Sequence, residues 1–134
     1  MVNTSGLGAI VGQALQSVMP LEEGRSFINF LSLTLMSGLT GLVTTNPGVP
    51  AVLTPLAPEL AASAGMSLKA VLMTQVIGFS TVVFPYQVAP LILAMQLAGE
   101  NLRHILRLTV PLAIITYVVL MPIDWLWWRL LGWL

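Results

Sequence analysis

The residues able to do chemistry in this sequence are few, and most lie where the chain must interrupt its own helices. At Thr44-Thr45-Asn46-Pro47-Gly48-Val49-Pro50, two hydroxyls and an amide stand beside two prolines and a glycine. Proline removes an N–H donor and glycine weakens a helix, so such a stretch leaves main-chain groups unpaired. A second interruption, Phe84-Pro85-Tyr86-Gln87-Val88-Ala89-Pro90, follows Thr81 and carries a phenol and an amide. Hydroxyls and freed carbonyls coordinate sodium, whereas the N–H groups that open a half-helix attract an anion. Thr44, Thr45, Asn46, Thr81, Tyr86 and Gln87, with the helix starts after Pro50 and Pro90, are therefore the candidate substrate- and ion-binding residues. Thr45 and Asn46 are the candidate sodium ligands. The chain has one His and no Cys, and no HExxH, CxxC, GxSxG or P-loop pattern, so neither a zinc centre nor an enzyme is expected.

The elements that position these residues must live in an apolar solvent. Hydrophobic residues make up 57% of the 134 positions and charged residues 7%, against roughly 25% charged in a soluble domain. No Asp, Glu, Lys or Arg falls between Arg25 and Glu59, between Lys69 and Glu100, or between Arg107 and Asp124. Each run approaches or exceeds the ~20 apolar residues that cross a bilayer. The net charge is zero, which leaves no basic face for nucleic acid. An all-α integral membrane protein is expected, with the lipid bilayer as its first partner.

Four segments follow. Residues 1–20, weakly amphipathic and ended by Pro20, read as an interfacial helix. The apolar run from Ser26 to Pro58 is too long for one span and too short for two, and its middle is the Thr-Thr-Asn-Pro break. A re-entrant hairpin over 26–62 accommodates it, with half-length helices meeting near Asn46. Residues 68–98 read as one discontinuous transmembrane helix and 107–131 as a terminal transmembrane helix. The loop Gly99 to Arg107, with Arg103, His104 and Arg107, is the densest basic cluster, which puts it in the cytoplasm. The terminal helix then runs outward to Trp125, Trp127, Trp128 and Trp133, an aromatic belt. Glu59, Asp124 and Arg129 read as interface anchors. A multi-pass protein of the inner (plasma) membrane is expected.

The order of these elements and their motifs resembles the second inverted repeat of the divalent anion/sodium symporters, the family of dicarboxylate, citrate and sulfate carriers. NTSGLGAIVGQAL is similar to that family's interfacial Thr-Gly-Leu helix. LVTTNPGVPAVLTPLAPELA is similar to its hairpin with a Ser-Asn-Thr tip, and FSTVVFPYQVAPLILAMQLAG to the segment bearing Thr-Pro-Pro-Asn. Here the tip reads Thr45-Asn46-Pro47, lacking the second hydroxyl, and Val88, Ala89, Pro90 and Leu91 stand at the second motif. The resemblance implies half of an inverted-repeat secondary transporter that moves a small anion, of carboxylate or sulfate type, with sodium or protons as the coupling ion and no other cofactor. It also implies an N-terminal repeat on a missing or separate polypeptide, and a homodimer when complete. The alternative is a small membrane scaffold or assembly protein without transport activity.

Overall fold

A computed structural model describes residues 21–134 together with Ala14, Ser17 and Val18, which are helical and exposed. The expected interfacial helix over 1–20 otherwise lies outside the described residues. Every regular element among the described residues is helical: α1 Ser26–Val43, α2 Gly48–Leu53, α3 Ala57–Ala64, α4 Leu68–Ser80, α5 Ala89–Ala98, α6 Leu102–Ile115 and α7 Met121–Leu130. Two helical stretches, Ser26–Val43 and Leu102–Leu130, are long and apolar enough to cross a membrane.

Residues 26–64 are a helical hairpin whose arms are not the half-length helices expected over 26–62. α1 has 18 residues, about 27 Å at 1.5 Å per residue. The return arm joins α2 to α3 through the 3-10 turn Thr54–Leu56 and ends at Ala64. Pro58 cannot donate to Thr54 O, so the N–H of Ala57 takes that carbonyl and the ladder tightens locally without breaking. The arm stops at Gly65, whose φ of 62° is the left-handed cap a glycine adopts without strain. Asn29, fully buried, closes the feet of the hairpin. Its Nδ2 donates to Glu22 O at 2.6 Å and Ala64 O at 2.9 Å, while its Oδ1 accepts from Glu22 N at 3.1 Å.

α4 starts at those feet, with Ser67 capping Ala70 N at 3.2 Å, and runs beside α1 toward the hairpin tip. Small residues bring the two helices close. A Cβ at Gly78 would overlap the Ser37 side chain and crowd Thr34 O, and the Ser37 hydroxyl donates to Gln75 O at 2.8 Å. Leu33 and Met36 of α1, Val49, Leu53 and Leu60 of the return arm, and Val71 of α4 form the main core. The last helix runs antiparallel to α1 and packs Trp128 edge-on against Phe30 at 5.0 Å.

The terminal helix begins earlier than its expected start at 107. Gly99, with φ 66°, ends α5, and Asn101 in extended conformation opens α6 at Leu102. Arg103, His104 and Arg107 therefore ride on the first turns of a helix, and the loop shrinks to Gly99, Glu100 and Asn101. Glu100 pairs with His104 Nδ1 at 2.8 Å. α6 and α7 are continuous through a π turn at Thr116–Leu120. Pro122 has no N–H to offer, and Met121 N reaches back to Thr116 O, which widens the helix there.

Candidate ion and substrate site

Local rules build each break. α1 ends at Val43, and Thr44 turns extended at φ −113°, ψ −167°, while its N–H and its hydroxyl both reach Thr40 O at 2.9 Å. Thr45 O and Asn46 O then accept from Gly48 N at 2.8 Å and Val49 N at 3.3 Å, closing the tip before α2 begins. In the other break, Phe84 precedes a proline and is extended at φ −115°, ψ 142°, the region the proline ring imposes.

What joins the breaks is Gln87, whose side chain is spent entirely on main chain. Only 1% exposed, it accepts at Oε1 from Val83 N and Phe84 N, both at 2.8 Å. Its Nε2 donates to Gly41 O at 3.0 Å, and its carbonyl accepts from Asn46 N at 3.0 Å. The Tyr86 hydroxyl donates to Leu42 O at the end of α1. Two interruptions far apart in sequence thus form one assembly that holds Thr44, Thr45, Asn46, Tyr86 and Gln87.

Thr81 stands apart. Its hydroxyl donates to Ile77 O at 3.0 Å, and the residue lines a separate cleft against the terminal helix. Sequence reasoning missed Gly41. A Cβ there would meet Gln87 Nε2 at 3.3 Å, Val49 at 3.5 Å and Asn46 Oδ1 at 4.0 Å, so a larger residue would press on the Gln87 amide as the second break approaches. A glycine in the last turn before a polar tip was the available signal.

The chemistry of the assembly is that of an acceptor. Asn46 Oδ1 is buried with no hydrogen-bond partner, an arrangement costing on the order of 1–3 kcal/mol unless something donates to it or a cation fills its lone pairs. Thr45 lies exposed beside it. Free donors are scarce at the helix starts. Pro50 and Pro90 have no N–H, Gly48 and Val49 are tied into the tip, and Leu91 and Ile92 donate to Val88 O at 2.9 and 3.4 Å. Neither break contains Lys, Arg or His. An aromatic pair, Phe84 and Tyr86, stacks at 5.7 Å and 12° on the exposed side. No protein-family model matches this chain, and no curated protein or solved structure matches it.

Proposed function

We propose that the chain is the C-terminal inverted repeat of a secondary active transporter of the inner (plasma) membrane, moving a small anion with sodium or protons. The observation that carries this reading is the meeting of two helix breaks through Asn46 N and Gln87 O, with the unpartnered Asn46 Oδ1 between the breaks and Gly41. Unwound backbone with a free side-chain oxygen is how such carriers hold an ion, and it is tolerated at membrane depth where protein surrounds it. The acceptor character favours a coupling cation at this repeat. Donors for a carboxylate or sulfate then come mainly from the opposite repeat.

Membrane placement is supported by where charge is missing. The span from Arg107 to Asp124 covers about 25 Å of helix with no charged residue, close to the ~30 Å hydrocarbon core. Along it Leu108, Leu112 and Val118 are 60% or more exposed, an apolar surface that water does not tolerate at this extent. The feet carry Glu22, Glu23, Arg25, Lys69 and Arg129, and the opposite end carries Glu100, Arg103, His104 and Arg107.

The test is uptake of radiolabelled succinate and sulfate by cells that express the chain with a polypeptide supplying the first repeat, with and without a sodium gradient. Asn46→Ala is expected to abolish gradient-dependent uptake at unchanged membrane abundance. Transport by Asn46→Ala at the parental rate would remove the tip from the ion site and favour the scaffold reading.

A further inference from the structure

A second polar feature lies outside the tip. Between the end of α4 and the terminal helix runs a cleft of ≈ 510 Å³, lined by Ser80, Thr81, Thr109, Thr116 and Asp124 among aliphatic side chains. Thr109, Ala113, Thr116, Leu120 and Asp124 follow one another at helical spacing, so the polar members share one face of the terminal helix. The stripe extends over about 22 Å, from Asp124 near the Trp-rich feet to Thr109, whose hydroxyl reaches Val83 O in the second break at 2.7 Å.

The hydroxyls all point one way chemically. Ser80 and Thr81 donate to Ile77 O at 3.1 and 3.0 Å, Thr109 to Val83 O, and Thr116 to Leu112 O at 2.9 Å. Thr81 also meets the Tyr117 side chain, whereas Ser80, Thr109 and Thr116, with their protons committed to main chain, offer the cleft lone pairs. Asp124 adds a carboxylate that has no hydrogen bond or ion pair among the described residues. An unpaired carboxylate among the cleft's aliphatic side chains is costly unless it is hydrated or balanced by a cation. The cleft has room for on the order of fifteen waters at about 30 Å³ each, with polar partners for them along its length.

We propose that this cleft is a water-filled vestibule for a hydrated monovalent cation, with Asp124 selecting its charge at the mouth and the hydroxyl stripe leading it toward the second break. The inference rests on the membrane placement and coupling-ion reading above. It adds a route and a selecting residue that the tip does not supply.

Because the chain has no cysteine, single substitutions report access directly. Thr116→Cys is made in the full chain in membrane vesicles and treated from the foot side with a trimethylammonium-bearing or a sulfonate-bearing methanethiosulfonate. Rates are normalised to those of a small free thiol. The cationic reagent is expected to react roughly three- to tenfold faster than the anionic one, the ratio that a unit charge about 12 Å away gives at an effective dielectric of about 80 down to about 40, and Asp124→Asn should bring the ratio near one. Val118→Cys, on the opposite, exposed face, should be almost inert, because a thiolate does not form in hydrocarbon. Thr116→Cys as slow as Val118→Cys, or a ratio indifferent to Asp124→Asn, overturns the vestibule. Release of the parent chain from vesicles by alkaline carbonate would instead overturn the membrane placement, and the vestibule with it; retention with a dry cleft would reject the vestibule alone.

Discussion

The two helices long and apolar enough to cross a membrane, among the described residues, look alike by hydropathy and are packed differently. In Ser26–Val43, 56% of the residues are buried by the rest of the protein, against 11% in the apolar window of Leu102–Leu130. Within those windows the buried helix is the less hydrophobic, with mean hydropathy 1.5 against 1.9. Asn29, Ser32, Thr34, Ser37 and Thr40 are all inside, and four of them bond to main chain, within α1 or across to Glu22, Ala64 and Gln75. Between Arg107 and Asp124 the terminal helix keeps its threonines on one stripe and offers largely apolar surface elsewhere. The lesson is that hydropathy identifies a helix suited to an apolar solvent, while the placement of small and hydroxylated residues decides whether that solvent is protein or something outside it.

The sharpest way to break this contrast is one truncation made in both helices. Leu33→Ala, at a site 1% exposed, should cost about 3 kcal/mol through lost contact and a cavity. Leu108→Ala, at a site 64% exposed, should stay within about 0.5 kcal/mol. Thermal unfolding in one detergent measures both, and equal losses would erase the distinction. Next in size is the join between the breaks. Gln87→Ala strands Gly41 O, Val83 N and Phe84 N and should cost on the order of 2–3 kcal/mol. Gln87→Glu keeps the acceptor for Val83 N and Phe84 N but sets a buried carboxyl against Gly41 O, so at neutral pH it should cost at least as much as Ala. A Glu variant nearly as stable as the parent at neutral pH would mean that water reaches the join.

Asn29→Ala opens the feet of the hairpin and should cost about 1–2 kcal/mol. Faster amide exchange confined to the neighbourhood of Glu22 and Ala64 would mark it as local, whereas exchange spreading to the tip would show that feet and tip unfold together. The smallest effect is expected at Thr44→Val, which loses a hydroxyl bond to a carbonyl already satisfied by Thr44 N, roughly 0.5 kcal/mol or less. A loss above 1 kcal/mol would mean that the hydroxyl holds the tip closed.

Much of this architecture was legible beforehand because its punctuation is local. Pro47 and Pro50 interrupt the first long run, Pro85 and Pro90 the second, and Gly65 and Gly99 end helices with positive φ, each through its own missing donor or missing Cβ. The start of the terminal helix was misplaced because a cluster of basic residues reads as loop, whereas Asn101 at the boundary opens a helix that carries Arg103, His104 and Arg107 on its surface. The six candidate residues were chosen for their chemistry at a break. Five of them meet there, and Thr81 does not, since its hydroxyl is captured by Ile77 O one turn back.

The sequence by itself determined where helices could not continue and which stretches could not be charged, because an absent N–H, an absent Cβ and an absent counter-charge act within a few residues of themselves. Only the tertiary structure decided which interruption faces which. That depends on the register between α1 and α4, fixed where Gly78 lets Ser37 and Thr34 close in and where Gly41 lets Gln87 reach the first helix. A one-residue slip would rotate each of these contacts by about 100° around its helix. The joining of Asn46 to Gln87, the unpartnered Asn46 oxygen and the facing of the stripe from Thr109 to Asp124 onto Ser80 and Thr81 exist only in that packing, where side chains reach main-chain groups distant in sequence.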